Sequence, residues 1–94
     1  MARTPIHPGE ILADELKELN VSAAAVARIL GVPTNRLTQI MAGKRAMTAD
    51  TALRLGRWLG TGAEIWLNLQ TAHDLRVAQR RLGREIKAIP QRAS

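Results

Sequence analysis

Apolar residues recur at three- and four-residue steps along most of the chain, and no segment alternates for long enough to make a strand. A first helix is expected to begin near Pro8, whose fixed φ suits a first helical turn, with Glu10 at the positive end of the helix. Leu12, Leu16 and Leu19 form its core stripe, and Asn20 supplies a left-handed stop. Ser22 is the N-cap of a second helix that runs to Leu30. Pro33 opens a third, ending at Gly43, and Thr48 caps a fourth through Leu53, Leu55 and Leu59, stopped by Gly60 and Gly62. A fifth starts near Ala63 and runs to about Ile89, with Ile65, Leu69, Ala72, Leu75, Leu82, Ile86 and Ile89 facing inward. Gln79 interrupts that stripe, and Gly83 and Pro90 weaken its end, so roughly the last ten residues are expected to fray. The pattern predicts an all-α, five-helix single domain over residues 1–94.

The segment Ser22–Arg45, SAAAVARILGVPTNRLTQIMAGKR, has the spacing of a helix-turn-helix, its motif at about 22–42. Two helices crossing steeply need a very small residue where they touch and a turn-former between them. Ala27 is that residue, and Gly31 is the natural left-handed residue of the turn. Val26, Leu30, Val32, Leu37 and Ile40 then point inward, which leaves Thr34, Asn35, Arg36, Thr38 and Gln39 as a polar outer face. A face of that size and polarity fits a DNA major groove.

Charge strengthens this picture. The net formal charge of +6 is unevenly placed: residues 1–33 carry −1 and residues 34–94 carry +7. A basic surface that begins at the outer face of the third helix suits a polyanion. Arg36 has a planar fork that matches guanine O6 and N7, or a phosphate. Asn35 and Gln39 can pair with adenine N6 and N7, while Thr34 and Thr38 suit a phosphate or a thymine methyl. Lys44 and Arg45 leave the helix in a loop that would meet the sugar-phosphate backbone. The start of the second helix at Ser22 can offer backbone N–H groups to a phosphate.

The flanking segments carry a resemblance. VARILGV with the following AGKR resembles the lambda-repressor-like helix-turn-helix regulators. IHPGEIL, GVPTNRLTQIMAGKRAMTADTALRL and GTGAEIWLNLQTAHDL, in that order, are similar to the HigA-type or VapI-like antitoxins, from Ile6 to about Ala78. Ile65 stands where that family often has an aromatic, and His73 where it often has tyrosine. The resemblance implies an antitoxin that binds a RelE-like (HigB-type) mRNA-cleaving toxin. It also implies a dimer that represses its own operon by binding an inverted-repeat operator.

Dimerisation is expected on separate grounds too. One short helix reads few base pairs, and dimers place two such helices ~34–36 Å apart. The fifth helix, about 63–89, is the candidate dimerisation element through Ile65, Trp66, Leu69, His73 and Leu75, since so small a domain covers only part of that surface alone. Trp58 is assigned to the core. RelE-like nucleases bind RNA and are typically basic, so a toxin contact is expected on the acidic first helix, at Glu10, Asp14, Glu15 and Glu18. A solvated helix face explains those four carboxylates equally well.

Enzymatic readings find no support. His7 and His73 lie far apart without carboxylates at metal-ligand spacing, and there is no glycine-rich phosphate loop or nucleophile motif. No cofactor, metal or catalytic residue is expected. His7 is placed at the start of the first helix and His73 at an interface or on a wet face. The absence of cysteine excludes disulfides and fits a reducing cytoplasm. The start MARTPIHPGE has no apolar core of a secretory signal, and no apolar run approaches the ~20 residues that span a bilayer. Two other readings stay open: a stand-alone helix-turn-helix regulator without a toxin, and an RNA-binding protein using Arg76, Arg80, Arg81 and Arg84. The lack of Phe and Tyr weakens the second, because base stacking usually uses aromatics.

Overall fold

A computed structural model describes residues 5–93. It contains five helices: α1 (Pro8–Leu19), α2 (Ala23–Leu30), α3 (Thr34–Met41), α4 (Ala49–Leu59) and α5 (Glu64–Lys87). Among the described residues there is no strand. The fold is all-α, as the periodicity predicts, and several of its local signals act where the residue types place them. Ser22 Oγ accepts the Ala25 N–H at 3.1 Å, and Asn20 and Gly31 close α1 and α2 in the left-handed region at φ 56° and 74°. Thr48 occupies the N-cap position of α4 without a side-chain cap bond. Pro33 precedes α3 as its N-cap, and α3 ends at Met41, two residues before the left-handed Gly43.

Leu12, Val26, Leu37, Ile40, Ala52 and Leu55 are fully buried, with Leu16, Ala27, Leu30, Val32, Met47, Ala63 and Trp66 completing the core. Burying a Leu or Ile side chain contributes about 1.5–3 kcal/mol, so this cluster supplies the main cohesion of four short helices. α1 packs on α3 and α5, α2 on α3 and α4, and α4 on α5. Gly9 brings the start of α1 so close to the end of α3 that a Cβ there would collide with the Ile40 carbonyl. Trp58 is half-buried against the core.

Two inward stripes differ from expectation. Leu19 is 48% exposed, because Asn20 turns the chain and Val21 packs against the core in its place. In α5 the buried residues are Trp66 and Gln70, whereas Ile65, Ala72, Leu75, Ile86 and Ile89 are exposed and Leu69 and Leu82 half-buried. The contact face is therefore rotated by one residue from the apolar stripe. Gly83 lies within the helix, which stops at Lys87. With 24 residues α5 is ~36 Å long. Its second half carries no buried residue, and the molecule is elongated, 52 × 28 × 20 Å.

Candidate nucleic-acid interface

α3 is held rigidly from behind. Leu37 and Ile40 have no exposure, Ala27 leaves room for the crossing of α2, and the backbone of Ile40 and Met41 abuts Gly9. The opposite face follows from the 3.6-residue period: Thr34, Asn35 and Thr38 are exposed, and Arg36 and Gln39 are half-buried at its edges. Thr38 Oγ1 donates to the Asn35 carbonyl at 3.3 Å, and the side chain stays exposed with its acceptor lone pairs free of that bond. Arg36 Nη1 lies 3.4 Å from Asp50 Oδ1 in the first turn of α4.

Lys44 and Arg45 are exposed in the loop after α3. Both ends of that loop are fastened. The Lys44 N–H donates to the Gln39 carbonyl at 2.8 Å, and the Met47 N–H donates to Gln70 Oε1 at 2.7 Å. Gln70 Nε2 in turn donates to Asp74 Oδ1 at 2.9 Å. The polar face of α3, this loop and the Ser22 end of α2 can hold phosphates and present side chains to base edges.

The other candidates separate in space. Trp66 is 4% exposed and its indole N–H donates to the Thr61 hydroxyl at 3.1 Å, so it belongs to the protomer's own core and not to a face open to a partner. Ile65 and Leu75 are about half exposed, and Leu69 is half-buried in a cleft with Ile6, Ile11, Ala72, His73 and Arg76. His73 meets His7 edge-on, ring centroids 4.9 Å apart. His7 is buried and caps α1: Nδ1 accepts the Gly9 N–H at 2.9 Å, and the His7 backbone N–H donates to Glu10 Oε2 at 3.0 Å. Burial, and next the charge of His73, lower the His7 pKa below its ordinary 6.5, against the pull of Asp74 and Glu10. Glu10 thus serves the start of α1 and is exposed, as are Asp14, Glu15 and Glu18. Among the described residues no group of three His, Cys, Asp or Glu side chains is placed to hold a metal ion. Among them, too, no helix is long and apolar enough to cross a membrane.

Sequence reasoning missed Asp50, Arg54 and Gln70. The four-residue spacing of Asp50 and Arg54 is a readable helix ion pair, but its extension to Arg36 depends on how α3 and α4 pack. A buried glutamine leaves no signal in a hydrophobic pattern.

No family model matches the chain. Virulence-associated protein I of Dichelobacter nodosus is 52% identical over 75 residues, 79% of this chain and 69% of that protein. The structure of an addiction module antidote protein of a HigA family from Coxiella burnetii is 50% identical, with a TM-score of 0.92 over 96% of this chain and 100% of that one. The structure of antitoxin GraA in complex with its operator is 49% identical, with a TM-score of 0.90 over 100% of this chain and 96% of that one. About half of the aligned positions are shared with each, and the two solved structures have the same fold; the chain belongs to the HigA-type family of helix-turn-helix antitoxins and transcriptional regulators.

Proposed function

We propose that this chain is an antitoxin that neutralises a RelE-like mRNA-cleaving toxin and, as a dimer in the cytoplasm, binds operator DNA to repress its own operon. The observation that carries the reading is the outer face of α3. Its polar side chains stand on a helix with a fully buried back, followed at once by two basic residues in a loop fastened at both ends. Rigid support of this kind lets side chains meet base edges without a large ordering cost. GraA, which has the same fold, was solved on its operator. In this reading Asn35, Arg36 and Gln39 read bases, Thr34 and Thr38 contact a phosphate or a thymine methyl, and Ser22, Lys44 and Arg45 bind phosphates. Glu10, Asp14, Glu15 and Glu18 offer a basic toxin an acidic face.

The test is growth of cells induced to express the small reading frame adjacent to this gene, with and without the protein. Arrest that the protein relieves is the expected result. Toxicity that it fails to relieve leaves a stand-alone regulator, a reading also in keeping with helix-turn-helix regulators among its relatives. Arg36→Ala and Asn35→Ala should each cost ~1–3 kcal/mol in operator binding and relax base preference at one position. Unchanged affinity and preference in both variants would remove α3 as the reading element.

A further inference from the structure

Arg36 is not an isolated side chain on the DNA-facing surface. Its guanidinium ends a chain of contacts through three helices. Arg54 Nη1 donates to the Leu30 carbonyl at the end of α2, at 2.9 Å, and lies over Gly31, where a Cβ would stand 3.3 Å from it. Arg54 Nε donates to Asp50 Oδ1 at 2.7 Å, one turn back along α4. The same oxygen faces Arg36 Nη1 at 3.4 Å. Asp50 also sits in the first turn of α4, where the helix end favours a negative charge. The carboxylate is thus held by Arg54 and favoured by the helix end before it meets Arg36.

We propose that Asp50, anchored by Arg54, is a specificity-determining positioning residue: it aims Arg36 at a base edge and disfavours DNA of every other sequence. The proposal rests on the reading of α3 as the DNA-facing helix. An arginine on an exposed helix samples many rotamers, and those directed at phosphates bind any sequence. A fixed carboxylate at Nη1 restricts that freedom and leaves the remaining donors of the fork for guanine O6 and N7. The carboxylate also repels phosphates within a screening length of about 8–10 Å. That penalty falls on all DNA alike, and only a sequence that engages Arg36 offsets it, so the difference between right and wrong sequences widens. The Arg54 bond to Leu30 ties α4 to α2, but the exposed Arg36–Asp50 pair contributes little to folding, so fold stability does not account for that contact.

The experiment selects duplexes from a randomised library with the whole chain. It then measures binding to the selected duplex, to its single-base-pair variants and to an unrelated duplex. Asp50→Asn should bind the unrelated duplex several-fold more tightly and lose preference at one base pair by about fivefold to tenfold. In an Arg36→Ala background Asp50→Asn should still tighten unrelated binding but no longer alter base preference. Arg54→Gln, which keeps Asp50 and loosens its anchor, should weaken preference at the same base pair. Thermal melting of each variant shows that the fold is retained. Unaltered preference in Asp50→Asn overturns the proposal, as does tighter binding to all sequences with preference kept, since Asp50 would then only mask Arg36. A wild-type chain that selects no sequence defeats the reading of α3 itself, and the proposal with it. Selection by the wild type with an indistinguishable Asp50→Asn defeats the proposal alone.

Discussion

His7 caps α1 through an atom that cannot both accept and carry a proton. A ring accepting the Gly9 N–H at Nδ1 holds its own proton on Nε2, and protonation of Nδ1 ends the cap. Burial and His73 lower its folded pKa, whereas the unfolded chain takes up the proton near 6.5. Between those two values the unfolded state binds more protons, so stability falls as pH drops below about 6.5 and is fully present above it. His7→Asn, a capping residue that does not titrate, should flatten this slope when urea midpoints are compared from about pH 7.5 to about pH 5. An equal slope in the variant would assign the effect elsewhere. Two glycines make a second pair of opposites. A Cβ at Gly56 in α4 would collide with the carbonyl of Gly62, while one at Gly83 in α5 meets nothing within 4 Å. Gly56→Ala should therefore destabilise by ~1–3 kcal/mol despite its better helix propensity, and Gly83→Ala should stabilise by ~0.5–1 kcal/mol. Chemical denaturation measures both.

At the scale of elements, α1 to α4 were legible because each is short and bounded by residues with strong local preferences. Ser22, Asn20, Gly31 and Gly60 act through their own backbone or hydroxyl chemistry, which needs no knowledge of neighbours. The outer face of α3 was legible for the same reason: Leu37 and Ile40 define its back by spacing alone. α5 was legible as a long helix with nearly its bounds, but its buried face was not, because that orientation is decided by partners distant in sequence. Trp66 and Gln70, four residues apart, set the buried line, and Gln70 is recruited by the Met47 amide from 23 residues away. Apolar periodicity counts that glutamine as an outward residue and so selects Ile65 and Leu69 instead. The same bond ties the loop bearing Lys44 and Arg45 to α5. Gln70→Leu keeps the volume and strands a buried N–H, which costs about 1–3 kcal/mol. Denaturation should show that loss, and hydrogen exchange at Met47 should quicken. Protection of Met47 unchanged in the variant would mean that the loop is held by other contacts.

For the whole molecule, the exposure of α5 bears directly on assembly. In the reading proposed above, a single α3 covers too few base pairs for useful selectivity, and a two-fold pair would solve this by setting two copies about one DNA turn apart. The dimer proposed above keeps Ile65, Leu69, His73 and Leu75, whose surface the protomer leaves partly uncovered, and gives up Trp66, which fills the core. These two roles fail differently when altered. Trp66→Ala should cost about 3–5 kcal/mol, a large share of the ~5–15 kcal/mol that stabilises a typical domain, and the helical signal should melt early. Leu75→Glu removes no buried contact, so its protomer should keep wild-type helicity while light scattering after size exclusion falls from twice the protomer mass to one. Operator affinity should then drop steeply with a folded α3 still in place, because each half-site must be bound alone. A wild-type chain that runs as a monomer at every concentration, or a Leu75→Glu chain that stays dimeric, would move the two-fold contact off this face of α5.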